Sequence, residues 1–374
     1  MFNPSVEKSL LNLLDDSGRS FEDYKKAAEQ GDAQAQCDFG LCYAVLNTHG
    51  EAVAWFRKAA EQENAQAQYS LGLCYHFGQG VPIEHSNERE AVRWYRKAAE
   101  QGHAAAQYFL GIAYRDRLGV SKNMLKAAEW FRKAAEQGYA AAQCAFGVCY
   151  SKGEGVPQDE SKAAKWFLKA AEQGVQKNES MAGATWVHST LIEGMRAAAQ
   201  YNLGMCYYFG SGISKNESLA VKWIQKAAEQ GNVQAQYSLG ACYKNGESVP
   251  QNDSEAVAWF RKAAEHVNQQ AQYALGVCYE NGEGVPKDES EAVKWYQEAA
   301  ENWCCGARGV AVAQYALGVC YENGRGVPQN KSEAVKWYRK AAKRGDANAQ
   351  QALERIKTKR GAAHENRERS RESE

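Results

Sequence analysis

Apolar and polar positions along this chain follow helical periods, and the pattern repeats. In residues 235–243, Ala235, Leu239 and Cys242 fall at i, i+4 and i+7, with Gln236, Tyr237, Gly240 and Tyr243 beside them. That spacing predicts a helix with one broad buried stripe. In residues 292–300, Ala292, Trp295, Tyr296, Ala299 and Ala300 fall at i, i+3, i+4, i+7 and i+8, while Lys294, Gln297 and Glu298 face away, which predicts a second amphipathic helix. Gly-x-Gly-Val-Pro stands between such helices, as at Gly282 to Pro286 and Gly324 to Pro328. Glycine can end the first helix in the left-handed region, and proline keeps helix from resuming at once.

Two independent rulers give the period. The small residue after Leu or Phe recurs at Gly40, Gly72, Gly111, Gly147, Gly204, Gly240, Gly276 and Gly318. Tryptophan recurs at Trp55, Trp94, Trp130, Trp166, Trp223, Trp259, Trp295 and Trp337. Both step by 36 residues, with one short unit and two insertions, at about 175–195 and 303–308. A repeat of this length predicts an all-α solenoid of about eight two-helix units over residues 21–357, each packing only on its neighbours. Residues 1–20, where Val6, Leu10, Leu13 and Leu14 share a face, are expected to form an N-terminal capping helix, and the charged residues 358–374 a disordered tail.

Several slots can be read locally. A glycine inside a helix costs about 1 kcal/mol relative to alanine, so its return in one slot implies a partner helix passing too close for a Cβ. The tryptophans are expected in the core. Asp32, Asn64, Asn232 and Asp346 stand where N-caps belong.

Composition narrows the function. Lys and Arg number 45 against 45 Asp and Glu, so the net field favours neither nucleic acid nor an anionic membrane. No stretch approaches the roughly 20 apolar residues that span a bilayer, and the first residues lack the cationic run and long apolar core of a signal peptide. A cytoplasmic monomer without membrane insertion is expected. Of 11 cysteines, Cys42, Cys74, Cys149, Cys206, Cys242, Cys278 and Cys320 sit two residues after the repeat's glycine. Equivalent points on packed helices lie about 9–10 Å apart, beyond the roughly 7 Å reach of a disulfide. They are expected as buried thiols acting as small hydrophobes, with Ala113 substituting for size.

The seven histidines show no metal-ligand spacing, and the adjacent pair Cys304 and Cys305 is a weak zinc signal. No nucleophile, oxyanion-hole or acid–base arrangement is discernible, so neither catalysis nor a cofactor is expected. Asn178, Asn216, Asn252 and Asn330 match the glycosylation acceptor pattern. Three of these open second helices, where Ser or Asp is expected to cap.

The repeated Ala-x-Ala-Gln-Tyr-x-Leu-Gly-x-Cys-Tyr, Gly-x-Gly-Val-Pro and Ala-Val-Lys-Trp-Tyr-x-Lys-Ala-Ala-Glu-Gln-Gly closely resemble Sel1-like repeats, relatives of tetratricopeptide repeats, over residues 21–357. The resemblance implies a right-handed α/α superhelix with first helices on the concave side. It also implies an adaptor or scaffold that binds a protein or peptide. One secreted cysteine-rich branch of the family, linked to penicillin binding, ties its helices with a disulfide near Lys-Ala-Cys. This chain has Lys97-Ala98-Ala99 and Ala106-Gln107 there, which disfavours that alternative of an enzyme or cell-wall-binding protein.

Positions that vary while their neighbours repeat are the candidates for recognition. Four residues after the glycine lie His76, Arg115, Ser151, Tyr208, Lys244, Glu280 and Glu322; one further lie Phe77, Asp116, Lys152, Phe209, Asn245, Asn281 and Asn323. Slots that accept every chemistry are expected to face solvent. His76, Phe77, Arg115, Tyr208 and Phe209 mix aromatics with charge, as binding hot spots do. Trp186 and Trp303, off-pattern tryptophans in the two insertions, complete the candidate partner-binding set.

Overall fold

The computed structural model describes residues 21–82, 84, 87–173, 186–301 and 307–358, with backbone alone at Phe21, 186–192 and 307–309. Among these, every predicted stripe becomes a helix. α1 (Phe21–Glu29) is a half-unit, and pairs follow: α2 (Ala33–Val45) with α3 (His49–Glu61), α4 (Ala65–Phe77) with α5 (Asn87–Glu100), α6 (Ala104–Asp116) with α7 (Met124–Glu136), and α8 (Ala140–Lys152) with α9 (Glu160–Glu172). Next come α10 (Trp186–Phe209) with α11 (Glu217–Glu229), α12 (Val233–Asn245) with α13 (Asp253–Glu265), α14 (Gln269–Asn281) with α15 (Glu289–Glu301), and α16 (Ala307–Asn323) with α17 (Lys331–Lys343). α18, over residues 347–358, closes the series. The described residues thus form 18 helices and no strand, packed pair after pair. They divide within α11 into two units, Met1–Trp223 and Ile224–Glu374.

The insertions are partly helix. Residues 186–195 lengthen α10 to 24 residues, and 307–309 lengthen α16 to 17. The expected leader helix (1–20), the charged tail (358–374, save Thr358) and residues 174–185 and 302–306 lie outside the described residues.

Caps fall where the sequence places them. Asp32 Oδ1 accepts from Ala35 N at 2.7 Å, Asn64 and Asn232 each accept at 2.9 Å, and Asp346 at 2.8 Å. His103 fills the same slot through Nδ1, 3.2 Å from Ala106 N. In the second helices the cap is Asn or Asp rather than Ser: Asn216 accepts from Leu219 N at 3.0 Å and Asn252 from Glu255 N at 3.1 Å. Each of those two acceptor-pattern asparagines is therefore a working helix cap.

The repeated glycine has a more specific cause than a close helix. A Cβ on Gly111 would lie 2.6 Å from two ring carbons of Phe131, ahead of the Ala127 carbonyl at 3.2 Å. Phe56, Tyr95, Phe167, Phe260, Tyr296 and Tyr338 meet their own units' glycines in the same way. At these seven glycines the closest object is an aromatic ring, the residue after the tryptophan; the repeat with Trp223 carries Ile224 there instead. Those rings are the deepest side chains, Phe131 at 1% and Tyr338 at 0% exposure.

The tryptophans themselves are mostly half-buried; only Trp94 and Trp337 are fully buried. Trp94, Trp295 and Trp337 reach back to the preceding junction. Trp94 joins a cluster with Val53, Phe56, Leu71 and Cys74, Trp295 packs on Val257, Phe260, Leu275 and Cys278, and Trp337 joins Val293, Tyr296, Leu317 and Cys320. A lysine three residues on covers the outer face of the ring, 4.0 Å from the centroid at Trp130 and 3.8 Å at Trp337.

The loops are anchored the same way. Gly78, Gly153, Gly282 and Gly324 close their helices at positive φ. The second glycine of the loop, as at Gly155 or Gly284, lies against the opening carbonyl of the preceding second helix, Met124 or Asp253, where a Cβ would overlap it. Periodicity explains the first glycine but gives no sign of the second one's role.

A buried glutamine in each first helix stitches units together. Gln68 Nε2 donates to the Ala60 carbonyl at 3.1 Å and Gln107 Nε2 to that of Ala99 at 3.1 Å, carbonyls at the ends of preceding second helices. In the first unit a later glutamine completes the amide: Gln101 donates to Gln68 at 2.9 Å and Gln137 to Gln107 at 2.7 Å. In the second unit the sequence has His266, Asn302 and Arg344 in place of that donor, and the buried Oε1 atoms of Gln236, Gln272 and Gln314 have no partner among the described residues.

Two stability predictions follow from these contacts. Gly111→Ala is expected to cost about 1–3 kcal/mol from overpacking, with part recovered by adding Phe131→Leu, read by urea denaturation. His266→Gln supplies the missing donor and is expected to raise stability by about 0.5–1.5 kcal/mol.

Candidate interaction site

The slot four residues after the glycine is half-buried rather than solvent-facing in every unit but the one with Ser151. It sits beside the ring that fills the glycine gap, and its chemistry matches that ring. Tyr296 donates its hydroxyl to Glu280 at 2.7 Å, and Tyr338 to Glu322 at 2.7 Å. Arg115 lies 6.0 Å from the Phe131 centroid, and His76 packs 6.2 Å from Tyr95. Variation here compensates for Tyr or Phe after the tryptophan. The signal was present in the sequence as a paired change, and a slot-by-slot reading misses it.

In the second unit the same slot also bridges units. Lys244 Nζ lies 2.6 Å from Glu283 and 3.0 Å from Asp253. Arg325 reaches Glu280 at 3.0 Å, and Arg355 reaches Glu322 at 2.6 Å. In the first unit it is aromatic instead. His76 stands edge-on to Phe77 at 4.6 Å and to Phe109 at 6.1 Å. Desolvation lowers the His76 pKa, with nearby Glu88 pulling the other way.

The next slot behaves as expected. Phe77, Asp116, Lys152, Phe209, Asn245, Asn281 and Asn323 are all exposed. Phe77 is 43% and Phe209 66% exposed, aromatic side chains at a slot that holds Val45 in the first repeat and polar residues in the others. Phe209 is held T-shaped against Tyr208 at 5.1 Å. Arg115 is locked by a bidentate contact to Asp116 at 2.8 and 2.7 Å. The candidates His76, Phe77, Arg115, Tyr208 and Phe209 thus share one edge, the C-terminal ends of first helices in the first unit. Trp186 opens α10, its side chain outside the described set, and Trp303 lies outside the described residues.

Nine cysteines are buried and unbonded. Burial pushes the thiols of Cys74 and Cys320 up to about 12 and that of Cys278 to about 11, which suits inert core side chains. Among the described residues no group of three or more His, Cys, Asp or Glu is placed to hold a metal, and no helix is long and apolar enough to cross a membrane.

Helix pairs in series, glycine-gated rings and loop glycines define an α/α repeat protein. The Sel1 repeat model matches nine segments, residues 19–32, 47–64, 65–103, 104–139, 140–175, 197–232, 233–268, 269–302 and 311–346. The chain belongs to the Sel1 repeat family, with about nine repeats where the sequence spacing counted eight and a half-unit. It is similar to a Sel1 repeat protein from Oxalobacter formigenes, 32% identical over 95% of both chains with a TM-score of 0.60. It is also similar to a protective antigen present in uropathogenic Escherichia coli strains, 32% identical over 91% of this chain and 82% of that one, TM-score 0.46. Cysteine-rich protein B of Helicobacter pylori is 28% identical over 37% of this chain and 96% of its own, TM-score 0.29. No curated protein matches the chain.

Two measurements check the local chemistry. Because His76 holds its proton less well folded than unfolded, its contribution is complete above about pH 6.5, the unfolded value, and is lost as pH falls from there through the lower folded pKa. His76→Gln is therefore expected to show a smaller drop in Tm than the parent between pH 7.5 and 5.5. A Cys304→Ser, Cys305→Ser variant is expected to react with a thiol reagent within minutes only after denaturation, then at nine sites.

Proposed function

We propose that the chain is a non-enzymatic scaffold that takes a protein or peptide segment along the first-helix ends of its first unit. The carrying observation is the exposure of two aromatic rings, Phe77 and Phe209, at a slot that elsewhere holds Val45 or a polar residue. Large exposed apolar side chains on a repeat array are the groups that anchor a partner. Sel1 repeat proteins are generally interaction scaffolds, which supports the same reading. We place the protein in the cytoplasm, as a monomer whose working body is the array over residues 21–357, with residues 1–20 as its cap and 358–374 as a solvated tail.

Affinity capture with the tagged full chain, after crosslinking in its own cells, tests this. Phe77→Ala with Phe209→Ala is expected to lose the principal partner while changing stability by no more than about 0.5 kcal/mol, as exposed substitutions do. Equal capture by parent and variant would remove this edge from consideration.

A further inference from the structure

The second unit ends in a tryptophan socket with no tryptophan in it. At the two preceding junctions the socket is built from a valine of one second helix and the leucine and cysteine-slot residues of the next first helix. Val257, Leu275 and Cys278 receive Trp295; Val293, Leu317 and Cys320 receive Trp337. The corresponding residues at the end of the array are Val335, Leu353 and Ile356. They line an open cavity of about 270 Å³, with Arg339 and Lys357 completing its wall. An engineered cavity of about 150 Å³ accepts benzene, so the space suits an indole. Residues 359–374 carry no apolar residue larger than alanine and offer nothing to fill it.

We propose that this socket docks an acidic, tryptophan-bearing amphipathic helix of another protein. The internal junctions supply the template for the indole, and the wall supplies the sign of the charge. Arg339 and Lys357 are exposed and carry no ion pair among the described residues. The array's own tryptophan helices do not fit as second copies. Most carry lysine three residues after the ring, and Trp295 and Trp337 of the second unit are already seated in their own junctions. The unpaired half-unit α1 has Asp23 in the tryptophan slot. The surface is separate from the first-helix edge proposed above, and the inference does not depend on it.

The chain contains its own probes. The α15 sequence, Glu289–Glu301, carries Trp295 with four glutamates and one lysine, including Glu298 three residues after the ring. The α17 sequence, Lys331–Lys343, carries Trp337 with four lysines, one arginine and one glutamate. Each is made as a fluorescent peptide, bridged on its outer face because a helix this short is marginal in water, and titrated with the full chain by anisotropy. The α15 peptide is expected to bind, to weaken at least about tenfold with Trp295→Ala, and to outcompete the α17 peptide. Leu353→Glu in the full chain is expected to abolish binding. Should that variant lose helicity, Arg339→Glu with Lys357→Glu, both on exposed positions, is expected to invert the preference toward the α17 peptide. Equal binding of both peptides, or an affinity indifferent to Trp295→Ala and to the charge reversal, overturns the proposal. So does self-association of the full chain that Leu353→Glu dissolves, which would seat a second copy there instead.

Discussion

The contact on which this molecule depends is an aromatic ring pressed against a helix that has given up a Cβ to receive it. A glycine inside a helix is a loss when taken alone. Here the missing carbon lets the ring of the second helix approach the first helix's backbone, and the ring is then almost wholly buried. Because the ring follows the tryptophan in sequence, the two aromatics point to different neighbours. One locks a unit's own helices together; the other reaches back and locks that unit onto its predecessor. Both kinds of cohesion come from a single dipeptide, so the array needs no central core.

Hydrogen bonding refines this packing. A helix end leaves carbonyls without internal partners, and the buried glutamine answers one of them from the next unit. That leaves its own amide oxygen in an apolar setting, and the first unit supplies a donor from the following glutamine. In the second unit the glutamine donor is replaced, and those buried oxygens have no partner among the described residues. The same unit instead carries ion pairs from first helices to the next loop, Lys244 with Glu283 and Arg325 with Glu280. These are partly exposed and contribute modestly.

Much of the fold was legible in the sequence because repetition performs the averaging that a single segment denies. The two helical stripes, loop glycines, cysteine burial and the Asp32 and Asn64 caps all emerged from period and slot. What escaped was pairwise. The sequence showed that glycine recurs, but a ring rather than a backbone as its cause depends on which way Phe131 points. Residues such as Glu280 and Lys244 looked free because each varied; that they vary in step with Tyr296 and Phe260 is visible only when distant slots are compared together. Phe77 and Phe209 were expected at solvent and lie there, each resting against the ring that precedes it. Trp186 and Trp303 sit where the repeat is interrupted, and slot comparison says nothing about either.

The backward reach of the tryptophan gives every glycine loop a direction. A chain cut within one of these loops would leave an upstream fragment ending in an apolar notch and a downstream fragment beginning with the indole shaped to enter it. Such halves are complementary by construction, without any contact beyond those already in the intact chain. A nick in a loop therefore need not separate the pieces, and fragments from two nicked molecules can exchange partners as readily as they reunite.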